Sequence, residues 1–390
     1  MYKRMTLTGI PGFVAVALLV AGCSDLVSPR YRGPERGGPG GIQLVVVGDQ
    51  SNGTLGESGT MIIKGFNPTN PHHGDAIVAT FFWLGSTNII DSVTDHITQP
   101  GYPPVGNKYT LVEYVTAGGV SMATYVATNV QNFPDAYSAP GGDSILAVRA
   151  NLSTSVTDGG IMLSAWSGAN AVYAQALGGH QSASGSGSTT TVADPGSIPV
   201  NAGSLAYAVT LSNSLVDLDQ PAGFTYFPSS PSDAYMKADG EYALQAVAGS
   251  VDPRWTWHYT ATSPGTWLAT VLALKDAFTK LAFTVQPSTS LPCPVTIQPP
   301  VAVAAQDDQG NTVTSFNGSV TIAIKRNGGA LQPGTLSGTL TAQAVNGVAR
   351  FGDLCIDQPN LPGNGYTLQA TVPSRNLTVE SAAFSIGVVN

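Results

Sequence analysis

Residues 299–324 read PPVAVAAQDDQGNTVTSFNGSVTIAI. Val301, Val303 and Ala305 recur at every second position, and Val320, Ile322 and Ile324 do the same beyond the interruption DDQGN. Side chains on a strand alternate between its faces, so a period of two puts each set on one face. Asp, Asn and Gly in the interruption are turn residues. A second hairpin signal, VNG at 345–347, and a third alternating set, Tyr366, Leu368 and Ala370, follow. Strands with one apolar face each must cover those faces against one another, and two facing sheets do so. The stretch predicts a small β-sandwich over 280–390.

Toward the N-terminus the same texture continues from Ile42. Runs such as IQLVVV, AIVATFFWLG, YTLVEYV, SILAVRANL, SLAYAVTL and WTWHYTA are short and rich in Val, Ile, Thr, Tyr and Trp, with Gly, Pro, Asn and Asp between them. No stretch carries a sustained helical period with caps at both ends. The nearest, WLATVLALKDAF at 267–278, also suits a closing strand and a linker. The 45 glycines and 27 prolines, with only 10% charged residues, fit many short strands and turns. The fold class expected is all-β, with one large antiparallel sandwich over 42–275 and the smaller one over 280–390. GHQSASGSGSTTT, residues 179–191, reads as a low-complexity loop inside the large sandwich. A division into two smaller domains there would need a second set of sandwich repeats, which is missing.

Several segments of the large region resemble concanavalin A-like jelly-roll domains of secreted bacterial proteins. They are GDAIVATFFWLG, DSVTDHITQPGYPPVGNKYTLVEY, ATYVATNV, MLSAWSGA and WTWHYTATSPGTWLATVLALK, in the order of that family. The resemblance spans over half the chain on loose motifs, and it places the strands of Trp257 and Trp267 in a sandwich interior. KLAFTVQPS, the opening stretch, GTLSGTLTAQAVNGVARFGDLCID and GNGYTLQATV resemble bacterial immunoglobulin-like repeats of the invasin and filamin-like kind, present once. Tyr366 then stands where a tyrosine corner would. Cys293 and Cys355 occupy positions where those repeats carry small residues, and two simultaneous departures to cysteine imply a disulfide.

At the start of the chain, Lys3 and Arg4 precede an apolar run, Phe13 to Val20, far too short to span a bilayer as a helix. Val20-Ala21-Gly22-Cys23, after Leu19, resembles the lipobox of bacterial lipoproteins. That implies a signal peptide over 1–22, cut before an acylated Cys23, and multiple chains anchor stably. Ser24 after the cysteine favours the outer membrane, facing the periplasm or the cell surface. Residues 23–41, with SDLVSPRYRGPERGGPGG, read as a flexible tether. If Cys23 carries lipid, two of the three cysteines remain, an even pair in an oxidising compartment. A net charge of −8 argues against nucleic acid as a partner.

Few residues suggest chemistry. His72 and His73 stand near Asp75 in NPHHGDA, but neighbours on an extended chain point apart and chelate zinc poorly. His96, His180 and His258 are scattered, and no HExxH, Gly-x-Ser-x-Gly or phosphate loop occurs. Asp217 and Asp219 alternate and share a face. With Asp307, Asp308 and Asn311 they are the calcium candidates, yet neither set supplies six oxygens, so surface turns are expected. Glu113 reads as the only glutamate within a strand-like run of the large region, and a glycosidase needs two carboxylates. Trp255, Trp257 and Tyr259 alternate. Exposed they would stack on sugars, and buried they are core, which large apolar side chains favour.

No metal, cofactor or catalytic residue is expected. The leading function is a lipid-tethered, non-catalytic binding, adhesion or structural module with the membrane and an extracellular protein or glycan as partners. The alternative is a carbohydrate-binding protein or glycoside hydrolase working through the large sandwich.

Overall fold

The computed structural model describes residues 42–387 apart from 51–58, 67–69, 72–73, 98–103, 132–144, 228–231, 308–309, 314–315, 330–331, 358–362 and 374–376. The signal peptide, Cys23 and the tether expected over 1–41 lie outside the described residues. The fold is all-β, built from antiparallel ladders. Among the described residues the α-helix is a single turn, Tyr173–Ala176, and no helix is long and apolar enough to cross a membrane.

Residues 42–275 stack four layers of sheet. An outer three-stranded sheet has the order Gly59–Gly65, Leu146–Val156, Ile90–Ile97. The first inner sheet has the order Gln43–Gln50, Gly159–Ser167, Ala76–Leu84, Val120–Ala127, Thr110–Ala117. The second has the order Thr225–Tyr226, Lys237–Leu244, Leu205–Ser212, Gly265–Leu274, Leu177–Gly187. Two small sheets form the fourth layer: Thr190–Ala193, Trp255–His258 and Leu218–Asp219, and the pair Ile198–Val200 with Gly249–Val251.

Three layers of apolar side chains fill the gaps. Ile77, Phe81, Trp83 and Leu163 meet Ile62, Val148 and Ala150 of the outer sheet. Val78, Phe82, Met122 and Trp166 meet Tyr207, Val209, Leu268 and Leu272 across the centre. Ala208, Val271 and Ala273 meet Trp255, Trp257 and Ile198 on the far side. The inner sheets are therefore covered on both faces. That is why AIVATFFWL and LAYAVTLS lack the polar alternation of a half-exposed strand. Their buried hydroxyls must find partners inside. Thr80 does so twice, 3.0 Å from Thr124 Oγ1 and 2.9 Å from the Tyr207 hydroxyl of the facing sheet.

The expected loop over 179–191 is instead mostly strand. Leu177–Gly187 forms the edge of the second inner sheet and Thr190–Ala193 opens the fourth layer. The physical reason is close packing. A Cβ on Gly185 would lie 2.7 Å from the Trp267 ring, and one on Gly178 2.9 Å from Ala273. Small residues here let a strand approach its neighbours.

The C-terminal sandwich faces the sheet Lys280–Val285, Val301–Gln306, Val348–Phe351 against Thr341–Gln343, Ser319–Arg326, Gly363–Val372, Leu377–Glu380. Val301, Val303, Ala305, Val320, Ile322, Tyr366, Leu368 and Ala370 are all in its core, with Ile324 packed against it. Cys293 and Cys355 are joined, with sulfurs 2.07 Å and Cα atoms 5.2 Å apart. Tyr366 is fully buried, and its hydroxyl is hydrogen-bonded to the Gly334 backbone.

Candidate functional site

Glu113 sits on the edge strand Thr110–Ala117, where a bulge interrupts the ladder. Leu111 pairs with Tyr125 and Glu113 with Thr124, leaving Val112 as the extra residue. Glu113 reaches the edge strand of the second inner sheet. Its Oε1 lies 2.6 Å from His180 Nδ1, and its Oε2 accepts a 2.6 Å hydrogen bond from Ser182 Oγ. Both oxygens are engaged. The three residue types match a nucleophilic triad, but the connectivity does not. In a triad the imidazole stands between hydroxyl and carboxylate, whereas here the carboxylate stands between the other two. The cluster clamps the rim of the central core, a role for His180 that its isolation in the sequence concealed.

Asp219 Oδ2 lies 3.0 Å from His258 Nε2 on the exposed face of the fourth layer. Asp217 is exposed too, and its carbonyl accepts the His258 amide at 2.9 Å. Asp307 closes a turn, accepting from Asn311 N at 2.8 Å and Nδ2 at 3.0 Å. Among the described residues no group of three or more His, Cys, Asp or Glu is placed to hold a metal. His72, His73 and Asp308 lie outside the described residues, while Asp75 and His96 are buried.

Trp255 and Trp257 are 0% exposed and Tyr259 2%. The Trp257 and Tyr259 rings are stacked with centroids 6.1 Å apart, inside the outer core. The alternation along this strand is a core pattern.

Three carboxyl groups that the sequence did not single out are more constrained than Glu113. Glu241 lies in the strand Lys237–Leu244, so Glu113 is not the only strand glutamate of the large region. Its polar neighbours in KADGEYAL hid the burial. Glu241 is 0% exposed, and its Oε2 accepts the Trp255 indole N–H at 2.7 Å. Burial, followed by the adjacent Asp239, pushes it up to about 10, so it is a neutral acid bonded to Asp239 at pH 7. Carboxyls in direct hydrogen-bond contact are closer than the roughly 5 Å or more that glycosidase pairs need. Asp158, in the turn between Leu146–Val156 and Gly159–Ser167, meets Asp233 of the second half; burial and that contact push it up to about 7.

The third is Asp95, 1% exposed in the strand Ile90–Ile97. It accepts hydrogen bonds from the amides of Gly106 (3.1 Å) and Asn107 (3.3 Å), the Asn107 side chain and the Tyr109 hydroxyl (3.1 Å). Thr94-Asp95 and Gly106-Asn107-Lys108-Tyr109 are thus two ends of one carboxylate-centred knot.

Two hollows, of about 560 and 250 Å³, adjoin where the large region meets the C-terminal sandwich, sharing Asn201 and Lys275 in their walls. The larger also has Asn170, Gln175 and, from the C-terminal sandwich, Leu377. The smaller has Gly178, Gly179 and Ser204. Comparison of the chain with protein-family models, with curated proteins and with solved structures finds no match.

Proposed function

We propose that this chain is a lipid-tethered, non-catalytic binding or structural module of a bacterial cell envelope. The observation that carries the reading is the use made of Glu113. The residue nominated for hydrolysis has both oxygens committed to His180 and Ser182 across a rim between two sheets. The aromatic alternation nominated for sugar stacking is interior, which removes the main support for a glycan platform on that strand. The anchor rests on Val20-Ala21-Gly22-Cys23 and its resemblance to the lipobox. A stack of rigid sheets on a Pro- and Gly-rich tether suits presentation of loops beyond a membrane.

The purified protein should hydrolyse no member of a polysaccharide panel. Turnover that Glu113→Gln abolishes, with the fold intact, would refute the reading. Cys23→Ser should remove both membrane attachment and labelling by fatty-acid analogues, and continued labelling would refute the anchor.

A further inference from the structure

The outer three-stranded sheet turns a mixed face away from the core. Its inward side carries Ile62, Val148 and Ala150. Alternation puts their neighbours on the other side. The ladder register sets those neighbours in two rows: Met61, Asn151 and Ser92, then Ile63, Arg149 and Thr94. Met61 is 42% exposed, Ser92 is exposed, and the other four are half-buried. The side-chain amide of Asn151 donates to Ser92 Oγ at 2.9 Å and to Thr94 Oγ1 at 3.3 Å, and Thr94 Oγ1 lies 3.1 Å from His96 Nε2. These polar groups are tied to one another, and Arg149 stands beside them untied. Its Nε is enclosed and has no hydrogen-bond partner among the described residues. No carboxylate of the described residues forms an ion pair with it. An opposite charge directly across the ladder would stabilise such a cation, yet its cross-strand neighbours are Ile63 and Thr94. Lys64 and Asp95 both pair with Val148, which puts them on the inward face. Asp91 is exposed and is the bulged residue next to Ser92.

We infer that this face docks a short extended segment of a partner protein, with an acidic side chain of that segment against Arg149. The inference rests on the binding-module reading. A guanidinium is a planar fork of donors that a carboxylate matches at two points. The enclosed Nε shows that the stem of Arg149 is packed down. The outer end of the fork is therefore held in place before a partner arrives, and less freedom is lost on binding. Ser92 and Asn151 offer a hydroxyl and an amide to peptide groups. Met61 and Ile63 add an apolar strip, and Met and Arg are residue types enriched at protein interfaces. Size decides for a segment over a folded domain. Strands about 4.8 Å apart and rows about 6.8 Å apart make a patch on the order of 200 Å². A stable complex of folded proteins covers roughly 800 Å² on each partner. A saccharide would want an aromatic ring to stack on, and none of these six residues is aromatic. An anionic lipid surface calls for a cluster of Lys and Arg, and this face has one arginine. Asp91 repels an acid at the Ser92 end, which fixes the acidic side chain over Arg149.

The test is selection on the full chain from a random peptide library with both ends blocked. Synthetic copies are then measured by fluorescence anisotropy. The selected peptides should share one Asp or Glu, and changing it to Asn or Gln should weaken binding at least tenfold. Arg149→Gln should weaken binding of the parent peptide similarly and erase the difference between acid and amide. Arg149→Lys, which keeps the charge without the fork, should recover only part of the loss. Asn151→Ala should weaken binding several-fold, and unchanged unfolding midpoints would exclude collapse of any variant. Failure to select any peptide overturns the inference, as does a selected set without a shared acid. So does discrimination that survives Arg149→Gln, which would put the site elsewhere while leaving the binding-module reading standing. Self-association of the chain, or binding to phosphatidylglycerol vesicles, that is lost in Arg149→Gln while no peptide is selected would assign the face to a second copy or to lipid and overturn it too. Cleavage of the selected peptides would instead overturn the binding-module reading.

Discussion

Glu241→Gln isolates the buried acid of the second inner sheet. Glutamine copies the protonated acid: its carbonyl can still accept the Trp255 indole N–H, and its NH2 replaces the acid O–H toward Asp239. The folded-state value, about 10, stands above the 4.5 of an ordinary glutamate. Between these values the folded chain holds a proton that the unfolded chain has released. Stability from this group is therefore complete below about pH 4.5 and is lost as pH rises toward 10. One proton of difference gives a slope of about 1.4 kcal/mol per pH unit, or up to about 4 kcal/mol between pH 6 and pH 9. Urea unfolding followed by tryptophan fluorescence at several pH values measures the slope. The variant should match the wild type near pH 5 and become the more stable of the two as pH rises. Parallel pH profiles for the two proteins would show that Glu241 ionises in the fold and would refute the neutral-acid assignment.

Asp95→Ala removes the acceptor for four hydrogen bonds. It should cost roughly 4 kcal/mol in urea unfolding, at about 1 kcal/mol net per bond; a loss under 1 kcal/mol would mean the knot is dispensable. Asp158→Asn should flatten the loss of stability that its raised value, about 7 against 3.8, predicts for the wild type between those two pH values. Unchanged pH dependence would count against the Asp158–Asp233 contact. Reduction of Cys293–Cys355, which closes a separation of 62 residues, should destabilise the C-terminal sandwich by up to about 4 kcal/mol. Two titratable thiols in the unreduced, denatured chain would show that the bond does not form.

The C-terminal sandwich was the most legible part, because a strand such as Ser319–Arg326 has one covered face and one more open face. Val320 and Ile322, buried between more open neighbours, announce that geometry directly. In the large region the strand positions were legible but the layering was not. AIVATFFWLG and SLAYAVTL are apolar at consecutive positions, and such a run marks burial without saying what lies on each side. Serine and glycine over 179–191 resembled a linker because composition does not reveal that Trp267 needs a flat neighbour. Glu113 was found, since a lone glutamate among apolar residues stands out, but its partners were not, because His180 and Ser182 are 67 and 69 residues away. Glu241 escaped notice for the opposite reason: Lys237, Asp239 and Gly240 made its strand look wet.

Layering also explains where chemistry does and does not collect. A sheet covered on both faces can keep a polar side chain only by pairing it within the stack. Thr80 with Tyr207 and Glu241 with Trp255 are solutions of that kind. Glu113 lies at the rim, where the inner sheets end, and is still drawn into holding two edges together. The stack also holds polar atoms it does not match: the indole nitrogens of Trp83 and Trp267 and the Nε of Arg149 are buried in strands without a hydrogen-bond partner among the described residues. The Ser204 hydroxyl, just before the strand Leu205–Ser212, is buried and likewise unmatched among the described residues. Loops between rigid layers can change residue without disturbing a core.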